Sequence, residues 1–436
     1  MTFSARLGDR LRHNADVASA TRVFSAFAPR FDIPSLIAVL FLVGLGVVMV
    51  ASASSALAAQ NYKNVFFFAE RQAVFALIGV VALIVGAAVP PRFLQKNAYP
   101  FLGLAFFLLV IVLIPGIGRM AGGARRWIEL GPIGIQAGEV MKLALIVWLA
   151  RSLAEKVQDG RILRFSTGVL PHILVPGFAV ILLLGEPDFG TSAMLLLVTF
   201  LLLFVAGARL GLLFGVVVAA VPVLLHLVAS SQYRMLRVLA FLDPWAHRSS
   251  IGYQITESLM TFGSGGFFGA GLGESKQKLF FLPAAHTDFV FAVVGEELGF
   301  IGVVSVFAAF GVIGVRALTA ALRRNAPFQS YLTLGLCALL LVQMLFNVAV
   351  VLGLVPTKGI TLPFVSYGGS SLVASMFLAG LLLRLTAEGH DSSSLAKESQ
   401  RELQREPQRG RDDVRNTPRQ GTARAGLRAG RAGGGP

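Results

Sequence analysis

Ten runs of apolar residues, each long enough to cross a bilayer, recur along this chain and leave few folds open to it. A hydrocarbon core of about 30 Å takes roughly 20 apolar residues as a helix. Such runs fall at 33–54, 72–90, 98–116, 138–155, 168–185, 188–206, 209–228, 289–315, 331–354 and 364–385. The fifth, sixth and seventh are nearly continuous. Gly185-Glu186-Pro187-Asp188 and Gly207-Ala208-Arg209 interrupt them, because proline and charge sit badly in hydrocarbon. The expected fold is an all-α polytopic membrane protein with ten transmembrane helices.

Composition agrees. Charged residues are 14% of the 436 and apolar residues 55%, where a soluble domain carries about 25% charged residues. Residues 1–32 and 386–436 hold 25 of the 61 charges. The chain therefore divides into an N-terminal segment 1–32, a membrane domain 33–385 and a basic tail 386–436. The tail is rich in Arg, Gly, Gln and Ser without apolar periodicity, and reads as disordered. A secreted protein, a soluble enzyme and a nucleic-acid binder all fit poorly. The single cysteine, Cys337, lies in an apolar run and supports neither a disulfide framework nor a Cys-based metal site. No cleavable signal peptide is expected, since the first apolar run starts near residue 33 and is long enough to span.

Lys and Arg in short loops set orientation. With the N-terminus cytoplasmic, the inside segments carry 15 of them and the short outside segments 6. Both termini are then cytoplasmic. Residues 229–287, between the seventh and eighth spans, become a long extracytoplasmic loop, and loops of that length in tight proteins are usually functional. Its semi-apolar stretches, Ile255–Phe262 among them, suit a membrane surface.

Charge is costly in a bilayer, so polar residues in or beside the spans are candidates for function. They gather toward the outer face. One cluster runs from Arg125-Arg126-Trp127 to Glu139 and Lys142, the last two sharing one helix face at i,i+3. Its plainer reading is a stabilising ion pair with an interfacial tryptophan; its functional reading is a wall facing an anion and a sugar. A second is Glu186-Pro187-Asp188-Phe189-Gly190-Thr191, where Asp188 suits a helix N-cap. A third, in the long loop, holds Arg234, Arg237, the glycine run 263–273, Lys276, Lys278 and His286-Thr287-Asp288. A fourth is the carboxylate pair Glu296-Glu297. A fifth holds Gln343, Asn347, Lys358 and the Ser/Gly-rich stretch Ser366–Ser371. The outer mouth is net cationic, against the usual bias, and this suits an anionic lipid-linked substrate with a diphosphate as the favoured anion.

The stretch Gly271–Phe300, containing His286-Thr287-Asp288-Phe289 and Val294-Gly295-Glu296-Glu297-Leu298-Gly299, resembles the signature of the SEDS family (shape, elongation, division and sporulation). Pro363-Phe364-Val365-Ser366-Tyr367-Gly368-Gly369-Ser370-Ser371, Arg126-Trp127-Ile128 and Glu186–Thr191 match further signatures, in order, over about residues 33–385. The Val-Gly-Glu-Glu-Leu-Gly form resembles the division member more than the elongation member. Two departures stand out: Pro283-Ala284-Ala285 where the family has Pro-Glu before its His-Thr-Asp-Phe, and Gln136-Ala137-Gly138-Glu139 where it has Gln-Pro-Ser-Glu.

The resemblance implies a peptidoglycan glycosyltransferase of the bacterial cytoplasmic membrane, acting at the division septum and polymerising lipid II with release of undecaprenyl diphosphate. It also implies a class B penicillin-binding transpeptidase as partner, alongside other division proteins of the membrane. Asp288 is then the general base. Arg126, Lys276, Lys278, Lys358 and Arg234 are the cations for the diphosphate. Trp127, Glu139, Lys142, His286, Ser366 and Ser370 make up the rest of the substrate site. Asp288 at a helix start would be held ionised and weakly basic, so the role demands partial burial; the plainer reading makes it only an N-cap. A divalent cation, Mg2+ or Mn2+, is compatible, although no cluster at metal-ligand spacing requires one. Two other readings are a lipid II flippase using Glu139, Lys142, Glu296 and Glu297 as a path, and a non-catalytic division scaffold.

Overall fold

The computed structural model describes residues 30–121, 124–130, 133–275 and 283–389. The expected head, except its last three residues, and the expected tail from residue 390 lie outside the described residues, as do Lys276 and Lys278. The helices are α1 (Ile33–Tyr62), α2 (Phe67–Ala88), α3 (Pro91–Lys96), α4 (Ala98–Leu113), α5 (Ala137–Gln158), α6 (Pro171–Gly185) and α7 (Phe189–Val205). Then follow α8 (Leu210–Ala229), α9 (Gln232–Leu242), α10 (Tyr253–Ser264), α11 (Val290–Leu322), α12 (Pro327–Val351) and α13 (Gly369–Gly389). Every apolar run expected to span falls on a helix. Among the described residues α1, α2, α11, α12 and α13 are each long and apolar enough to cross a membrane.

The bundle has the polarity of a membrane protein. Large apolar side chains such as Leu77, Val81, Phe107, Ile181, Phe214 and Val315 face outward, while Lys142, Glu186, Asp188, Glu296, Glu297, Gln343 and Asn347 are buried. Helix α5 carries the most charge for a central element, yet is enclosed on nearly every side from Met141 to Ala154. It packs between α4, α12 and α7.

Three expectations need correction. The chain is not all-α. Residues 118–136 form a three-stranded antiparallel sheet, β1 (Gly118–Ala121), β2 (Ala124–Leu130) and β3 (Ile133–Gln136). Its signal was the Gly122-Gly123 and Gly131-Pro132 breaks around a short run that alternates side chains between two faces. The segment 229–287 is not a single loop, since it contains α9 and α10. Helix α1 continues to Tyr62, eight residues past the expected end. Its serines there are absorbed locally: Ser54 Oγ donates to the Val50 carbonyl at 2.6 Å and Ser55 Oγ to that of Ser52 at 2.9 Å.

Asp32 caps α1, accepting from Ser35 Oγ at 2.6 Å, and pairs with Arg316 of α11, whose Nε lies 3.1 Å from both carboxylate oxygens. Arg384 of α13 donates to the Ala88 carbonyl at 2.8 Å and so closes the end of α2.

Helix α11 is broken at Gly299, where φ is 63° and ψ −158°. The break releases backbone groups that hydrocarbon cannot satisfy, and the glycine-rich segment after α10 takes them up. Ala270 N–H donates to the Glu296 carbonyl at 2.8 Å, Gly271 N–H to that of Glu297 at 3.1 Å, and Phe300 N–H to that of Gly266 at 3.0 Å. The approach requires glycine: a Cβ at Gly265 would lie 1.9 Å from the Gly295 oxygen. Gly265→Ala is therefore expected to cost about 1–3 kcal/mol, read as a lowered melting temperature in detergent; an unchanged melt would rule this contact out as a structural requirement.

Candidate active site

Strand β2 is the wall on which the site is built. Successive side chains of a strand point to opposite faces, so Arg126 and Trp127 serve different places. Arg126 reaches α6–α7, its Nε donating to the Glu186 carbonyl at 3.2 Å and its Nη2 to that of Pro187 at 2.6 Å. Trp127, with Glu129 two residues on and Arg119 from β1, faces a cavity of about 830 Å³. Arg119 and Glu129 form an ion pair at its edge. The inner lining is apolar, with Phe75, Ile78, Phe101, Leu143 and Phe377; the outer lining includes Arg71, Gln136, Glu139 and Ser370. An amphipathic cavity between helices suits a molecule with a polar head and a hydrocarbon tail.

On the other face of β2 the cations converge on one short segment, Thr357–Thr361, between α12 and α13. Arg237 Nη1 donates to the Thr357 carbonyl. Lys358 Nζ lies 4.4 Å and Arg234 Cζ 4.9 Å from the centre of the Phe189 ring. Gly359 lies against Asp288, since a Cβ there would stand 3.2 Å from the Asp288 Oδ2. The Ile360 carbonyl accepts from Asn347 Nδ2 at 2.7 Å, which also donates to the Asp288 carbonyl at 2.8 Å. The Thr361 carbonyl accepts from Gln343 Nε2 at 3.1 Å.

Asp288 does not cap α11. The residue before the helix is Phe289, and no side chain caps it. Half-buried, the Asp288 carboxyl is pushed up to about 6 by burial, opposed by the charges of Arg126 and Arg237. The condition set by the role of a base, partial desolvation, is met. Glu186 is buried and, among the described residues, neither oxygen has a hydrogen-bond partner; burial and the neighbouring Asp188 push it to about 8, against the pull of Arg126. Burial, with Arg237 and Arg234 nearby, brings Lys358 down to about 8, while Asp188 opposes this. Burial also lowers His286, whose ring stands 4.8 Å from Phe68 and 5.7 Å from Tyr367.

Several expected residues have other tasks. Lys142 is only 3% exposed, paired with Glu139 at 2.7 Å, and it donates to Gln343 Oε1 at 3.2 Å. It is sealed from the cavity and holds Glu139 and Gln343. Ser366 is also buried, its Oγ accepting from the Leu362 N–H at 2.8 Å, so it shapes the turn before α13. Ser370 lines the cavity, and among the described residues its hydroxyl has no partner. Asp188 caps α7 as its plainer reading required, accepting from Thr191 N–H at 3.2 Å and Thr191 Oγ1 at 2.9 Å. It also accepts from Gln136 at 3.5 Å, which ties the two faces of the wall together. Arg237 was the residue to add: its i,i+3 spacing from Arg234 puts both on one face of α9. Among the described residues no group of three or more His, Cys, Asp or Glu side chains could hold a metal ion.

Residues 34–391 match the cell cycle protein family of FtsW, RodA and SpoVE. The chain belongs to that family. It is 45% identical over 357 residues to the "Probable peptidoglycan glycosyltransferase FtsW" of Trichlorobacter lovleyi, covering 82% of this chain and 93% of the relative. A protein of the same name from Saccharophagus degradans is 43% identical over 362 residues, covering 82% and 93%. Among solved structures, the chain is similar to one from work on polymerization and crosslinking by a peptidoglycan synthase complex, with a TM-score of 0.66 and 31% identity over 82% of this chain and 97% of that one. Thermus thermophilus RodA has a TM-score of 0.59 and 29% identity over 82% and 96%. Within the family the chain is FtsW-like.

Removing one member of a buried ion pair leaves the other uncompensated, at about 3–5 kcal/mol. Lys142→Met should therefore lower the melting temperature more than the double change Glu139→Gln with Lys142→Met. Equal losses would mean that the pair carries no coupling.

Proposed function

We propose that this chain polymerises lipid II into glycan strands at the outer face of the bacterial cytoplasmic membrane during septal wall synthesis. The observation that carries the reading is Asp288: a half-buried carboxyl raised into the range of a working base, acted on by Arg126 and Arg237, in a chain 43–45% identical to named peptidoglycan glycosyltransferases. Ten spans with both termini cytoplasmic put this site and the sheet on the outer side. The excess of Lys and Arg in the opposite loops supports that topology.

In this reading Asp288 takes the proton from the 4-hydroxyl of the acceptor N-acetylglucosamine as the oxygen attacks the anomeric carbon of the lipid-linked N-acetylmuramic acid. The glycosidic bond forms, the bond to the diphosphate breaks, and undecaprenyl diphosphate leaves with the electron pair. Arg126, Arg234, Arg237 and Lys358 stabilise the charge that grows on the departing oxygens, and Lys276 and Lys278 remain candidates to join them. The cavity on the other face of β2 receives hydrocarbon, with Trp127, Glu139 and Ser370 toward its polar end. Its lining of apolar residues under a polar rim supports that use. A class B penicillin-binding transpeptidase is the proposed partner, supported by the likeness to a chain from a peptidoglycan synthase complex.

Purified protein with lipid II and the partner should make glycan, and Asp288→Asn should lower the rate at least about 100-fold with an unchanged melt. Full activity in the variant removes Asp288 from the mechanism. Lipid II transport across vesicles without polymerisation points instead to the flippase. The base must be ionised, so the rate should fall as pH drops through about 6. The ammonium must be charged, so it should fall again as pH rises through about 8. A flat profile from pH 5 to 9 would contradict both assignments.

A further inference from the structure

We propose that Phe189 is a positioning residue, its ring holding the Lys358 ammonium and the Arg234 guanidinium together as part of one anion-binding cradle. The inference rests on reading that cradle as the diphosphate site.

Four cations, Arg126, Arg234, Arg237 and Lys358, act on one small region, faced by the carboxyl groups of Asp188, Glu186 and Asp288. Of these carboxyls Asp188 attracts Lys358 while it caps α7, and burial raises Glu186 to about 8. Arg126, Arg234 and Arg237 each act against the charge on Lys358, and an arriving anion relieves that. Something must keep them in place meanwhile, because a cradle that springs apart has to be reassembled by the substrate at the expense of affinity.

The arginines have partial anchors. Arg126 donates to two backbone carbonyls and Arg237 to a third. Lys358 and Arg234 share the face-on contact with Phe189, at 4.4 and 4.9 Å from the ring centre. An aromatic face carries negative charge density and attracts a cation most strongly where water is scarce. It neutralises nothing, so the cations keep their full charge for a ligand. A carboxylate in the same place would hold them as well and cancel them.

The ring is itself well fixed. Phe189 is the first residue of α7, next to the Asp188 cap. The following residue, Gly190, is pressed against Ile360, where an added Cβ would come within 2.8 Å. The start of α7 and the segment that carries Lys358 are thus in contact beside the ring's attachment. The same segment places Gly359 against Asp288, so the ring's hold on Lys358 also sets where the cations stand relative to the proposed base.

The test uses the full chain in detergent, with inorganic pyrophosphate as probe in calorimetry and lipid II polymerisation as a second readout. Phe189→Leu keeps the bulk and loses the aromatic face; Phe189→Tyr keeps the face. The leucine variant is expected to bind pyrophosphate about ten-fold more weakly. It should raise KM for lipid II more than it lowers kcat, and move the alkaline limb to lower pH. The tyrosine variant should restore all three. Leucine binding pyrophosphate as tightly as the unaltered chain, or tyrosine failing alongside leucine, overturns the inference, as does an unaltered chain that does not bind pyrophosphate. An unaltered chain that makes no glycan, yet binds pyrophosphate with this dependence on residue 189, keeps the inference and overturns the proposed reaction.

Discussion

Hydrocarbon accepts no hydrogen bonds, and most of this architecture follows from that. Each polar group in the bundle has to be matched inside it. The matching is done along a few continuous lines: Glu139 to Lys142 to Gln343 to the Thr361 carbonyl, and Asn347 to the carbonyls of Asp288 and Ile360. Both lines end on the same short segment. Side chains buried for electrostatic reasons thereby become the struts that fix Thr357–Thr361, and through Gly359 they fix what stands beside Asp288.

That segment is the meeting point of the molecule. Helix α9 reaches it through Arg237, α7 through Phe189, α12 through Gln343 and Asn347, and the start of α11 through Asp288. Strand β2 is tied in less directly, through Arg126 and the turn between α6 and α7. The alternation of β2 then divides labour cleanly, with charge chemistry on one side and a cavity for an amphipathic ligand on the other. In the proposed reaction, lipid and sugar-phosphate stay next to each other without sharing side chains.

Much of the fold was legible because the bilayer imposes a simple rule. A run of apolar residues such as 289–315 reads as a helix whatever surrounds it, and each expected run did fall on one. The errors came where the rule is silent. The sheet was hidden in a segment read only for its charges, where strand pairing depends on the register of Arg119 with Trp127 and of Trp127 with Gln136. Lys142 was read as facing a ligand because it shares a helix face with Glu139; Glu139 does line the cavity, but Lys142 turns to Gln343 of α12. Ser366 belonged to a motif that attracts a phosphate reading, yet its hydroxyl is used by its own turn.

By itself, then, the sequence determined that the chain is a helical membrane protein, which family it resembles, and that positive and acidic groups gather at one end. Those properties depend on composition, spacing and local order, and all are carried by neighbouring residues. Only the tertiary structure decided which of the gathered groups act together. The separation of Arg126 from Trp127, the contact of Gly359 with Asp288 and the two cations on Phe189 join residues up to about 170 positions apart. Their distances are set by how helices pack, and burial, which alone moves the Asp288 carboxyl toward neutrality, exists only once that packing is complete.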